Sequence, residues 1–200
     1  MQYVIIGLGN PGSEYEKTRH NSGRIILEHF RCSYDFPEWK LDTTSHSFVS
    51  KGTLGKGKKS HTVTLIMPET FMNTSGSAVK LFVTNAKTAE GMMVIYDDLD
   101  LPFGTGKISF NKSSGGHKGL ESIIRAVKTQ AFSRMRIGIA PTTARGTIKK
   151  PVGESAINRF ILGLFKPEEL LALKKFSKKT NEALELFVTE NREIAMNGFN

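Results

Sequence analysis

Near the start of the chain, Tyr3-Val4-Ile5-Ile6 runs straight into Gly7-Leu8-Gly9-Asn10-Pro11-Gly12, and then into a polar stretch ending Thr18-Arg19-His20-Asn21-Ser22-Gly23. Consecutive large apolar residues without alternation suit a strand covered on both faces, as parallel sheets require. The glycine-rich turn then lies at the carboxyl end of a buried strand, where such sheets place their ligands. It carries an amide, Asn10, and an imidazole, His20, follows ten positions later. Gly7, Gly9 and Gly12 also match the dinucleotide pattern G-x-G-x-x-G letter for letter. That pattern needs a helix with an apolar face opening at the glycines and an acidic residue after a second strand. Here Pro11 interrupts the turn, Tyr15 is the one large non-polar residue between Pro11 and Gly23, and the next apolar helical pattern starts near Ile25. Unusual backbone angles explain the glycines better.

Lys and Arg outnumber Asp and Glu by 28 to 19, a net charge of +9. Such an excess favours a polyanionic partner, since each neutralised phosphate releases counterions, although a basic protein without one has the same composition. The 200 residues, 38% of them hydrophobic, suit one domain spanning 1–200. Cys32 is the single cysteine, so no internal disulfide forms. No basic leader precedes the apolar start and apolar runs stop at about five residues, so a cytoplasmic chain without membrane contact is expected.

Periodicity predicts strands over 2–8, 46–53, 61–67, 92–96, 106–110 and 135–139, and helices over 22–32, 77–83, 117–129, 154–162 and 167–190. The last helix turns Leu170, Leu173, Phe176, Leu184 and Phe187 inward. This alternation implies an α/β fold: a three-layer α/β/α sandwich around a twisted, mostly parallel mixed sheet.

Reading the strand ends in turn gives Asn10, then Asn73 after Pro68-Glu69-Thr70-Phe71-Met72, then Asp97. With His20 returning to the same edge, these four could meet. A histidine can deprotonate water while a carboxylate fixes its tautomer, and carboxamides can orient water or donate to an oxyanion. No G-x-S-x-G elbow supplies a nucleophile, and the five histidines form no i,i+4 metal pair. Each residue also has a plainer reading. Asn10 can bond its own turn, Asn73 can cap a helix, His20 can be solvated in a loop, and the 97–100 run can hold a turn before Pro102. Phe71 and Met72 fit packing as well as substrate contact. The Ser113-Ser114-Gly115-Gly116-His117-Lys118-Gly119 segment opens a helix whose amides could hold an anion, which would relieve Lys118.

Five ordered motifs carry a resemblance over nearly the whole chain: G-L-G-N-P-G-x-x-Y-x-x-T-R-H-N at 7–21, P-x-T-F-M-N-x-S-G at 68–76, D-D-L-D-L-P-x-G at 97–104, G-G-H-x-G-L at 115–120 and R-x-R-I-G-I at 134–139. The chain resembles the bacterial-type peptidyl-tRNA hydrolases. That resemblance implies a monomer that hydrolyses, without metal or other cofactor, the ester joining a peptide to the 3′ ribose of tRNA. It implies His20 as the general base, Asp97 as its carboxylate partner, and Asn10 and Asn73 as amides at the peptidyl–ribose end. The substrate-facing set expected with them is Tyr15, Phe71, Met72, Lys107, Lys112, His117, Lys118 and Arg134, with Arg136 either joining the cations or packing.

The chain departs from the family pattern mainly on the RNA side. Lys118 stands where the family usually has Asn, Ser109 replaces a common basic residue, and Asn111-Lys112-Ser113-Ser114 makes a loop poorer in glycine. An ammonium donates but cannot accept. These changes leave a rival from another class, an RNA-binding relative that has lost hydrolysis, like the plant organelle splicing factors. A nucleotide-binding oxidoreductase is a remote third.

Overall fold

The computed structural model describes residues 2–200, apart from the side chain of Lys58. Its strands are β1 (Gln2–Gly7), β2 (Lys40–Asp42), β3 (Ser47–Leu54), β4 (His61–Pro68), β5 (Met92–Pro102), β6 (Gly106–Phe110) and β7 (Ser133–Ala140). They form one sheet in the order β2-β3-β4-β1-β5-β7-β6. The central strands β4, β1, β5 and β7 pair in parallel. The flanking pairs β2–β3, β3–β4 and β6–β7 are antiparallel. The unbroken apolar runs of β1 and β5 are central and buried, as a strand covered on both faces must be.

Helices α1 (Ser22–Ser33), α6 (Pro167–Thr189) and α7 (Arg192–Phe199) cover one face. They pack Ile26, Leu27, Phe30, Leu184, Phe187 and Phe199 against Tyr3, Ile5, Leu65 and Met135. On the other face, α2 (Ser75–Val79), α3 (Ala86–Glu90) and α4 (Lys118–Val127) bury Val79, Ala89, Leu120 and Ile123 against Val4, Ile6, Ile66 and Val94. The three-layer sandwich is therefore present. Helix α5 (Glu154–Ile161) buries no residue fully. Pro167 opens α6, and Glu169 accepts from the Lys166 amide at 2.7 Å, so the longest helix has its start satisfied locally.

The glycine-rich segment has a different job from the one expected of it. Only Gly12 takes a positive φ, +104°. A Cβ on Gly7 would lie 2.6 Å from the Gly23 carbonyl oxygen, and one on Gly23 would lie 2.2 Å from that of Ile95. Gly7 and Gly23 thus let α1 sit against β1 and β5 at backbone contact distance. No nucleotide-type helix opens at the turn, since α1 begins only at Ser22.

Other boundaries moved for physical reasons. The acidic 97–100 run is not a turn: β5 continues through it to Pro102, with an irregular register opposite β7 between Asp98 and Pro102. The helix expected over 77–83 begins at Ser75, because Gly76 packs on the Ser122 carbonyl of α4, and it closes at Val79 into i,i+3 bonds. Short β2, α3 and C-terminal α7 carry too little periodicity to be read in advance.

Candidate active site

The carboxyl ends of the central strands build the site. His20 lies in a one-turn 3₁₀ helix, Arg19–Asn21, that leads into α1. Its neighbours hold that turn on both sides. The Arg19 amide donates to the Gly163 carbonyl at 3.1 Å, and its guanidinium reaches Glu169 at 3.0 Å while lying over the Phe160 ring. Asn21 clamps the glycine turn: its carbonyl oxygen accepts from the Asn10 amide at 2.9 Å, and its NH2 donates to the Asn10 carbonyl at 3.0 Å. Asn21 and Arg19 were legible only as letters of a motif, and Asn21 is not the side-chain cap that its place before α1 suggests.

His20 meets Asp97 with 2.9 Å between Nδ1 and Oδ1, both groups buried. An ionised carboxylate only accepts, so Nδ1 carries the proton and Nε2 keeps its lone pair. A second imidazole shares that oxygen: His117 Nε2 is 3.3 Å from Asp97 Oδ1. His117 is also the N-cap of α4, its Nδ1 accepting from the Leu120 amide at 3.3 Å. That bond puts the His117 proton on Nε2, pointed at Asp97. The ring packs edge-on against Tyr96 and 5.2 Å from the His20 ring.

Burial opposes a charged His20, but the charge and hydrogen bond of Asp97 outweigh it and raise the pKa above 6.5, while Lys118 pulls it down. Asp97 is itself buried, which alone would raise its pKa. The two histidines reverse this and hold it well below the usual carboxylate range. The carboxylate is therefore ionised at neutral pH.

Donor atoms of His20, Asp97 and His117 lie within 4.8 Å of one another, a grouping that could in principle hold a metal ion. Local histidine spacing did not show it. A metal on His117 Nε2 would force the proton onto Nδ1, where it would face the Leu120 amide hydrogen. The donors present fit a shared hydrogen-bond acceptor better than a ligand set.

Asn10 is buried, and its Oδ1 accepts from the Met72 amide at 2.9 Å, so it pins the neighbouring loop rather than its own turn. Among the described residues its NH2 has no partner. Asn73 lies exposed in that pinned 3₁₀ turn, Met72–Thr74, and makes no hydrogen bond there. It is not a helix cap, since Thr74 holds that position before α2. The structure thus joins His20, Asp97 and His117 by direct bonds, ties Asn10 to them through Asn21, and leaves Asn73 on the rim.

The expected substrate-facing set divides. Phe71 is 59% exposed, so packing does not account for it, whereas Met72 is buried in the core beneath α4 and is no open contact. Tyr15 is half-buried, and its carbonyl accepts from Thr18 within the loop. Lys107 and Lys112 are exposed. Lys118 is exposed and faces Glu154 at 3.5 Å. The anion site expected at the start of α4 is largely filled from within: His117 takes the Leu120 amide and Ser114 the Gly116 amide, and Glu121 stands in the first turn.

Arg134 corrects the reading outright. It is 0% exposed, its guanidinium has no hydrogen-bond partner, and it lies 4.3 Å over the Phe132 ring. As the second residue of β7 it faces the core rather than RNA, and burial lowers its pKa. Arg136 instead reaches Asp98 at 2.6 Å. Arg134→Met is expected to leave tRNA affinity unchanged and to stabilise the fold by about 1 kcal/mol, because an unpaired buried charge costs more than a ring contact returns. Urea unfolding and a tRNA-binding isotherm check both halves.

A family model described as peptidyl-tRNA hydrolase matches residues 4–200. The peptidyl-tRNA hydrolase of Aquifex aeolicus is 38% identical over 198 residues, covering 96% of this chain and 93% of that one. The enzyme of that name from Finegoldia magna is 35% identical over 199 residues, covering 99% and 97%. The crystal structure of peptidyl-tRNA hydrolase from Acinetobacter baumannii superposes with a TM-score of 0.84 at 30% identity, covering 99% of this chain and 94% of that one. Fold, length and family motifs agree from end to end, and the chain belongs to the peptidyl-tRNA hydrolase family.

Proposed function

We propose that this chain, a hydrolase by family, cleaves the ester between peptide and tRNA by direct attack of a water that His20 deprotonates. The observation that carries the reading is the buried His20–Asp97 pair, with Nδ1 protonated against the carboxylate and Nε2 left as the base. As water loses its proton, His20 becomes an imidazolium beside an ionised Asp97, which stabilises it. His117 holds Asp97 in place through the same oxygen. The NH2 of Asn10 and the side chain of Asn73, on the loop that Asn10 pins, supply donors for the tetrahedral oxyanion and the ribose. The return of the proton from His20 to the ribose oxygen releases peptide and tRNA.

The whole of residues 1–200 acts as one unit, a monomer, in the cytoplasm. No helix among the described residues is long and apolar enough to cross a membrane. Exposed Lys107, Lys112 and Lys118 favour the tRNA backbone. Release of an N-blocked amino acid from tRNA by the wild-type chain, with a chelator present, tests the proposal. Tight tRNA binding without release would favour the splicing-type reading.

Lys118 makes a separate prediction. His20 must be neutral to act, and the nearby ammonium lowers its pKa. In Lys118→Asn that pKa rises, so the acid limb of kcat/KM moves to higher pH, while the plateau rate changes little. The salt dependence of tRNA binding is expected to flatten by about one unit of slope if the ammonium meets a phosphate. A pH–rate profile with an unmoved limb would detach Lys118 from the base.

A further inference from the structure

Arg24 stands in the first turn of α1, where the helix dipole disfavours a cation, and its side chain is only 14% exposed. Its aliphatic stem crosses Gly9, where an added Cβ would lie 2.6 Å from the arginine Cδ. The guanidinium then forks. Nη1 donates to the Asn10 carbonyl at 3.0 Å, and Nη2 pairs with the Glu69 carboxylate.

Glu69 is the first residue after β4, and its amide donates to the His46 carbonyl at 2.7 Å. It roots the loop that carries Asn73. That loop is therefore tied to the glycine turn at two points. Glu69 reaches the Asn10 main chain through Arg24, and the Met72 amide donates to Asn10 Oδ1 at 2.9 Å. Asn21 also holds the Asn10 main chain, but its side-chain bonds end at Asn10 and Thr18. Arg24 is the side chain that carries the tie from α1 across to the β4 loop.

We infer that Arg24 is a positioning residue: it fixes the NH2 of Asn10 and the side chain of Asn73 relative to each other, so that both meet one tetrahedral centre. This role rests on the hydrolase reading above and adds to it a residue outside the reacting groups. Oxyanion donors work at about 2.7–3.1 Å, and a displacement of about 1 Å can cost about 10²-fold. The two amides leave different strands, β1 and β4, so their spacing depends on whatever joins the two strand ends. A guanidinium suits that join, because its planar fork serves two acceptors at once in fixed directions, which a lysine ammonium does not. Both Nη atoms are engaged within the protein and Glu69 offsets the charge, so Arg24 is not a phosphate contact.

The test compares kcat and KM for hydrolysis of an N-acetyl-aminoacyl-tRNA by Arg24→Met and Arg24→Lys, each made in wild type and in Asn10→Ala. Arg24→Met keeps the stem over Gly9 and is expected to lower kcat by about tenfold to 10²-fold, with KM near wild type. Arg24→Lys is expected to recover no more than about threefold of that loss. In Asn10→Ala the amide to be placed is gone, so there Arg24→Met is expected to cost no more than about twofold. A rise in KM with unchanged kcat would make Arg24 a substrate contact, and an equal loss in both backgrounds would make it a general fold contact. Either result overturns the assignment and leaves the hydrolase reading standing. Should Arg24→Met not fold, Glu69→Gln carries the same two-background comparison, with a smaller loss of the same sign. If wild type releases no product, the hydrolase reading fails and the role of Arg24 falls with it.

Discussion

His20→Ala is expected to lower kcat by about 10²–10⁴, with KM for peptidyl-tRNA close to wild type. The loss follows from the protonation pattern, not from the residue type alone. Asp97 holds the proton at Nδ1, so Nε2 is the one basic lone pair that the cluster offers. His117 cannot replace it, because its Nδ1 is committed to the Leu120 amide and its Nε2 to Asp97. Single-turnover release of labelled peptide measures the chemical step directly. A variant retaining more than about a tenth of the wild-type rate would remove His20 from the role of base.

Asp97→Asn is expected to be nearly as severe, again about 10²–10⁴ in kcat, by the logic of a base whose tautomer is set by a carboxylate. A carboxamide can present its NH2 to Nδ1, which moves the imidazole proton to Nε2 and removes the lone pair. The change also deletes the charge that raises the His20 pKa. The residual activity should therefore extend to lower pH than wild type, the opposite direction to Lys118→Asn. Both shifts can be read from kcat/KM profiles of the two variants. Equal rates for Asp97→Asn and wild type would mean that the pair is a structural contact.

How much of this was legible in the sequence depended on whether local pattern or distant contact did the work. Unbroken apolar runs identified β1 and β5, and with them the edge where Asn10 and Asp97 emerge. Helix periodicity located α1, α4 and α6 to within a few residues. His117 was read with the substrate-facing residues, and its bond to Asp97 was hidden, because the two meet only once β6 and its following loop bring α4 back to the carboxyl edge. Arg134 was misread because charge announces residue type and not location: β7 is covered on both faces, so position 134 is buried along with its neighbours 133 and 135. Asn10 and Asn73 were read as equivalent amides, yet one pins a loop and the other rides on it.

The parallel run of β4, β1, β5 and β7 has a practical consequence. Every group assigned to chemistry emerges at one rim, so the opposite rim is left without a catalytic duty. The β3–β4 hairpin turns there, and a Cβ added at Gly57 would meet nothing within 4 Å, although its φ of +56° asks for a residue that tolerates left-handed backbone. An asparagine or a spectroscopic probe seated at that tip would be carried a full strand length from the reacting water, and immobilisation through it should leave the mouth of the enzyme facing solvent.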